Sequence, residues 1–390
     1  MIYINCYASV SALGATEEKI INTLTSDHGN YLTARSDMIN GGKTAYFGCV
    51  NDCPLPDISD YREHNTRNNR FLAYLCVELK DKLAYFKDKY PKERIGVVMG
   101  TSTSGLSESE EEIKNYKQTH TRSEDYYYSF QEFGDPAMFL SEYLKVKGPS
   151  YTISTACSSS SRVLISAHRL IESGLCDVVI AGGADTLSTV PINGFNSMGL
   201  ISPTPCTPFC KGRDGISIGE AGGLMILSKE KSELSLLGLG ESSDAYHVSS
   251  PDPSGEGAIS AMNMAISGAG LSPSDIGYIN LHGTATKLND AMEAKAVASI
   301  FSNKVPCSST KYMTGHTLGA AGILESCILC YILENDLTLP LQSTEYRELD
   351  SELDDCGLIL NSTKASKPFM MSNSFAFGGN NASVIIGLTK

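Results

Sequence analysis

A chain of 390 residues with 31 Lys and Arg against 44 Asp and Glu carries a formal charge of −13, which excludes general nucleic-acid binding through a basic surface. With 42% hydrophobic and 19% charged residues it reads as an ordinary globular protein, long enough for two or three domains around a large core. No stretch is apolar for about 18 residues, and residues 1–8 lack the pattern of a cleavable leader, so a cytoplasmic protein without a membrane span is expected.

Alternating strands and helices are predicted in chain order. The first is a strand over 95–99, followed by an acidic run (Glu108, Glu110, Glu111, Glu112) and then Tyr126 to Tyr128, read as a solvated helix face and a packing loop rather than a partner surface. A strand over 151–155, a helix over 158–173 ending at Gly174 and a strand over 178–181 follow. After 228–235 the style repeats: strand 278–281, helix 289–300, strand 305–308, helix 318–334 and strand 384–387. The pattern is α/β, in two similar halves expected at 1–230 and 231–390.

The twelve Cys are scattered, which argues against a disulfide framework. Cys49 and Cys53, Cys206 and Cys210, and Cys327 and Cys330 have metal-like spacing, but no matching His or Cys pair accompanies them, so buried thiols are the better reading. Cys157 is different. It follows an apolar strand and opens a helix whose Val163, Leu164, Ala167, Leu170 and Ile171 keep a 3.6-residue period. The unsatisfied amides and dipole of a helix N-terminus are expected to favour its thiolate. Its own amide is placed for a bound carbonyl oxygen.

Of seven His, His282 and His316 fall in Gly- and Thr-rich segments after apolar strands, where loops carry chemistry. His28, His64, His120, His168 and His247 read as ordinary core or loop residues. Lys311 precedes His316, and Glu325 lies on the following helix, so a charged pair is expected behind the imidazoles, with the cation keeping them neutral. A metal held by Cys157, His282 and His316 is the less favoured use of the same residues.

Together, Ser154-Thr155-Ala156-Cys157, His282-Gly283-Thr284-Ala285-Thr286, the Lys311 to Gly322 segment and Asn373 to Asn381 resemble, in order, the active-cysteine, first-histidine, lysine with second-histidine and gating-loop motifs of the β-ketoacyl-[acyl carrier protein] synthases. Residues 208–220 add a fifth match, and 100–105 with the Asn380-Asn381 ending is similar to ketosynthases of bacterial aryl polyene pathways. Departures from the common family pattern fall at Thr103, Ala221, Ala376 and Asn380, which puts acyl-chain preference rather than the catalytic set in doubt.

The resemblance implies a thiolase fold, two βαβαβαββ halves in a five-layered α/β/α/β/α sandwich, active as a homodimer or as a heterodimer with a chain-length-factor-like homologue. It implies decarboxylative condensation of malonyl carrier protein with an acyl group on Cys157, in aryl polyene or in general fatty acid chain elongation, with His282, His316 and Lys311 catalytic and Glu325 and Asp290 supporting them. By the same transfer, the amides of Cys157 and Phe377 form an oxyanion hole, Phe377 is the gate, Thr284 and Thr286 bind the phosphopantetheine arm, and Thr103 and Phe195 line the acyl pocket. The partner implied is an acyl carrier protein, with no nucleic acid, membrane, metal or resident cofactor. Because carrier proteins are acidic, Arg122, Lys145, Lys147, Lys211 and Arg213 are expected to form the docking patch.

Competing readings are less favoured. A biosynthetic thiolase usually has a second active Cys near the C-terminus, and none follows Cys356. Synthases that take acyl-coenzyme A use Cys, His and Asn, and chain-length partners generally lack the active Cys. A Cys and His hydrolase is the remaining enzyme alternative.

Overall fold

A computed structural model describes residues 1–26, 29 and 31–389; His28 lies outside the described residues. The strands are β1 (Ile2–Val10), β2 (Thr33–Arg35), β3 (Ala45–Phe47), β4 (Ile95–Gly100), β5 (Ser150–Ile153) and β6 (Val178–Asp185), then β7 (Ala221–Ser228), β8 (Leu234–Ser243), β9 (Ile276–Asn280), β10 (Cys307–Ser308), β11 (Phe369–Ala376) and β12 (Asn380–Leu388). Apart from the β2-β3 hairpin they form one hydrogen-bonded series, β10-β9-β11-β12-β8-β1-β7-β6-β4-β5.

That series is two five-stranded sheets of one design. Numbered within its own half, each runs 3-2-4-5-1, with the same parallel and antiparallel pairings. They meet along a short antiparallel seam from Ile2 opposite Leu236 to Ile4 opposite Leu234. Beyond the seam the sheets are separated by two helices, Ser159–Glu172 and Ala321–Glu334, whose residues Val163, Leu164, Leu324 and Ile328 share a core with Ile4, Met225, Leu234 and Val384.

The second of these helices, AGILESCILCYILE, is apolar on nearly every face, and all its residues from Ala321 to Leu333 are buried, as a helix between two sheets must be. β4, β6 and β7 are continuous apolar runs for the same reason, since both their faces are covered. Helices Arg67–Glu78 and Asp135–Leu144 cover the outside of the first sheet, and Glu256–Gly268 with Lys287–Phe301 the outside of the second. Five layers result, as the resemblance implies.

Predicted elements move at their ends. The strand expected over 305–308 shortens to two residues, and the helix expected from 318 begins at Ala321 after a 3₁₀ turn at Leu318–Ala320. The acidic run does form a helix, Leu106–Thr119, but Glu110 on it is buried, contrary to the solvated-face reading. Tyr126 and Tyr127 pack on Phe130.

All twelve Cys are free. Cys206, Cys210, Cys327 and Cys330 are buried, while Cys49 and Cys53 are half-buried. No helix of the described residues is long and apolar enough to cross a membrane.

Candidate active site

The turn between β5 and the first central helix carries Cys157. Ala156 takes a left-handed backbone (φ 52°), Ser158 is the N-cap, and the Thr155 amide donates to Ser159 Oγ at 2.9 Å. Cys157 thus precedes the helix and faces a cavity of about 390 Å³, lined also by Phe195, Thr284, Thr286, His282, His316 and Phe377. Three further non-glycine residues with left-handed backbone, Phe209, Ala285 and Leu318, lie on the loops around it, the usual place for strain held by surrounding structure.

His316 Nε2 lies 3.0 Å from Cys157 Sγ. On the other side of the ring, the Leu318 amide donates to His316 Nδ1 at 3.3 Å, so the proton of a neutral imidazole sits on Nε2 and points at the sulfur. The His282 ring stands across from it, 5.3 Å between centroids and at 87°. Its Nδ1 is buried with no hydrogen-bond partner among the described residues.

Burial, and then the Lys311 ammonium, hold His316 well below the ordinary histidine range. His282 is lowered by burial, Lys311 and His316 in that order. Both rings are neutral at pH 7. Lys311 itself is almost fully buried and bonds Glu325 Oε1 at 2.5 Å. The charged pair expected behind the imidazoles is in place, although desolvation does more than the cation to keep them neutral.

For Cys157 the structure corrects the sequence reading. Burial pushes its thiol up to about 11, against the lowering pull of Lys311 and of the amides of Phe377 and Cys157. A helix start favours a thiolate, but a sulfur removed from water loses more than those partners return. The two amides that bond the sulfur are the pair expected as an oxyanion hole.

Other expected residues divide. Thr284 and Thr286 line the cavity with their hydroxyls 3.0 Å apart. Phe195 lines it too, its ring 5.8 Å from that of Phe377. Thr103 does not reach the cavity: it is buried and donates its hydroxyl to Asp185 Oδ1 at 2.7 Å. Asp290 accepts from the Phe209 amide at 2.9 Å and lies 3.3 Å from Arg213 Nε, tying the start of the Lys287–Phe301 helix to the 209–213 loop.

Arg213 is not surface-exposed as expected of a docking residue. It is buried, paired with Asp350 at 2.6 Å. Arg122, Lys145, Lys147 and Lys211 are exposed.

Two buried carboxylates were missed. Glu293 accepts the amides of His282 and Gly283, each at 2.7 Å, and so holds the first histidine loop. Asp185 accepts from Thr101, Ser102 and Thr103 on one loop and from the Ala320 amide on the other. Each is an acid on an ordinary-looking segment, and only the short acceptor spacing to a histidine loop, Glu293 to His282, offered a signal.

The cysteine and the two imidazoles place their ligand-type atoms within 4.8 Å of one another. A dication there would sit in the repulsive field of Lys311, whereas an oxygen gaining negative charge would be stabilised by it.

Residues 67–233 match the model of the β-ketoacyl synthase N-terminal domain and residues 235–345 that of the C-terminal domain. The 3-oxoacyl-[acyl-carrier-protein] synthase 2 of Staphylococcus aureus is 30% identical over 341 residues, 82% of either chain. The chain belongs to the β-ketoacyl synthase family.

The corresponding synthase 2 of Coxiella burnetii is 32% identical over 316 residues, 75% of either chain. Among solved structures, a chain of the complex between the ketosynthase ApeO and its chain length factor ApeC from Xenorhabdus doucetiae superposes with TM-score 0.96 at 50% identity, covering 100% of this chain and 98% of that one. This chain is a condensing enzyme of the acyltransferase type, with the thiolase fold of its family.

Proposed function

We propose that this ketosynthase extends an acyl chain held on Cys157 by condensation with malonyl carrier protein in aryl polyene synthesis. The observation that carries the reading is one sulfur and two neutral imidazoles converging in the cavity, with the His316 proton directed at the sulfur. In the first stage the Cys157 sulfur attacks the thioester of an acyl carrier protein. Its proton leaves with the phosphopantetheine thiol, and the acyl group remains on Cys157.

In the second stage the malonyl carboxylate departs as carbon dioxide and its electron pair passes into the thioester as an enolate. His282 and His316 donate N–H bonds to that oxygen, each a group of the kind worth about 3 kcal/mol. The enolate carbon attacks the acyl carbonyl, whose oxygen rests on the amides of Cys157 and Phe377. Collapse releases the β-ketoacyl carrier protein and a Cys157 thiolate that takes a proton from solvent. Lys311 supplies the field and Glu325 orients it, while Asp290 supports the rim and Thr284 and Thr286 receive the arm.

The reading assigns no resident cofactor and places the enzyme in the cytoplasm. Its partners are an acyl carrier protein and, as in the ApeO and ApeC complex, a chain-length-factor homologue. The presence of Cys157 favours the catalytic half over the chain-length partner.

The test is intact mass of the protein with acyl carrier proteins bearing short, long and aryl polyene-type chains, with and without malonyl carrier protein, and Cys157→Ala as control. An adduct on Cys157 that is lost as an elongated product forms supports the reading. An adduct that only hydrolyses, or none from any donor with the partner subunit present, overturns it.

A further inference from the structure

The helix Thr189–Ser197 forms the wall of the cavity that bears Phe195, and apart from Asn193, which accepts from the Asn40 amide and donates to the Met38 carbonyl, little in its own sequence holds it. TVPINGFNS contains three β-branched residues, a Pro and a Gly, all poor helix formers. The N-cap Ser188 makes no capping bond with its side chain. What satisfies the first turn is a side chain from elsewhere: the buried carboxylate of Glu110, on helix Leu106–Thr119.

Glu110 Oε1 accepts from Ser188 Oγ at 2.5 Å and from the Val190 amide at 2.5 Å. Its Oε2 accepts from the Thr189 amide at 2.8 Å and the Thr189 hydroxyl at 2.7 Å. A buried anion on two free amides of a helix start, with two hydroxyls completing its shell, is a strong and directional anchor.

The anchored helix buries Ile192 against Phe47, Ile216, Ile218 and Leu318 and presents Phe195 to the gate residue Phe377. The same two stretches of chain are clasped a second time, where Asp185 receives Thr101, Ser102 and Thr103. Of the two clasps, only that of Glu110 grips the helix bearing Phe195.

We propose that Glu110 is a positioning residue for acyl selection: by clamping the start of the Thr189–Ser197 helix it fixes the Phe195 wall, and so the length and shape of chain that Cys157 accepts. The proposal rests on the ketosynthase reading. Glu110 bonds neither the sulfur nor an imidazole, so its removal acts first on the wall that carries Phe195 and on the fit of the acyl chain.

The experiment compares the wild type, Glu110→Ala, Glu110→Gln and Thr189→Val in complex with the partner subunit. Acylation of Cys157 is followed by intact mass over a series of acyl lengths, and malonyl decarboxylation is measured separately. For Glu110→Ala the ratio of long- to short-chain acylation shifts by about tenfold, the scale on which hydrophobic pockets discriminate, while decarboxylation stays within about twofold.

Glu110→Gln keeps one acceptor oxygen, and so one of the two amide bonds, and gives a ratio between those of the wild type and Glu110→Ala. Thr189→Val removes one hydroxyl from the opposite side and moves the ratio the same way by less, which serves if Glu110→Ala does not fold. An unchanged ratio in Glu110→Ala and Thr189→Val overturns the proposal, as does an equal loss of acylation at every length and of decarboxylation together. A wild type that forms no acyl-Cys157 overturns the underlying ketosynthase reading, a result distinguishable from either.

Discussion

Replacing Lys311 with Met separates what the buried ion pair does for the fold from what it does for the chemistry. Lys311 and Glu325 are both almost wholly buried, with Nζ 2.5 Å from Oε1, and Glu325 Oε2 already lacks a partner among the described residues. Removing the cation leaves an uncompensated carboxylate, which costs about 3–5 kcal/mol. With an unfolding entropy of about 2.1 cal/mol/K per residue over 390 residues, Tm falls by roughly 4–6 °C.

The double variant Lys311→Met/Glu325→Leu replaces the pair by apolar groups and recovers most of that loss. It does not recover decarboxylation, because the field at the enolate oxygen is still missing. Both variants lose about 10²-fold in malonyl decarboxylation, the scale of one preorganised electrostatic group. The assay is carbon dioxide release from malonyl carrier protein beside a thermal melt. A double variant that regains wild-type decarboxylation together with Tm would refute the reasoning, since Lys311 would then have served only to hold the fold.

Cys157→Ala abolishes the acyl adduct but retains decarboxylation, whereas His282→Ala and His316→Ala each cut decarboxylation by about 10²–10³-fold; carbon dioxide release surviving both His changes would sink that division of roles. Because burial pushes the Cys157 thiol up to about 11, its thiolate fraction and alkylation rate by iodoacetamide keep rising with pH beyond 9, and a plateau near pH 7 would contradict it.

His282 and His316 are held neutral in the fold, so their contribution to stability is present above the ordinary histidine value of about 6.5 and is lost as pH falls below it, where the unfolded chain takes up protons. A melt series from about one unit above to about one and a half units below that value shows the loss, and it is smaller in His282→Ala. Gly322→Ala would place a Cβ 2.0 Å from Ser161 Oγ and 2.6 Å from the Ser161 amide. It destabilises the fold by about 1–3 kcal/mol, read in a melt, and an unchanged Tm would mean that the central helices can slide apart.

The groups that converge in the cavity were legible because their neighbours betray them. Cys157, His282 and His316 each follow an apolar strand among small residues, a context that leaves backbone amides and space for a ligand. Lys311 and Glu325 were legible as a pair because one precedes the histidine and the other lies on the helix after it. The carboxylates that hold the loops were not. Glu110 sits in a run with Glu108, Glu111 and Glu112, and a charge run reads as a solvated face; its burial depends on the distant helix that it caps.

Arg213 misled in the opposite direction, since an Arg among Gly and Asp reads as surface until Asp350 and Asp290 arrive from elsewhere in the chain. The helix-start rule for Cys157 failed for a related reason. It weighs the local amides and not the burial that outweighs them, to which residues distant in sequence such as His316, 3.0 Å from the sulfur, contribute.

That closure follows from the duplicated design. Cys157 lies between the third strand of the first half, β5, and the central helix after it. His316 lies in the same place in the second half, between its third strand, β10, and its own central helix. The two helices touch where Ser161 meets Gly322 and where the Ile323 amide donates to Ser160 Oγ at 2.9 Å.

Their starts therefore face each other, and the turns that precede them are brought together without any loop having to reach across. A thiol placed on one turn and an imidazole on the other come to 3.0 Å because the helix contact is tight. The lysine precedes the same second turn and is carried in behind the imidazoles by the same packing. The second imidazole, His282, follows a neighbouring strand, β9, and needs a tether of its own, which is why a buried carboxylate, Glu293, is spent on its loop. The geometry of the site is thus set by the packing of the middle layer, and the buried acids correct what that packing alone leaves free.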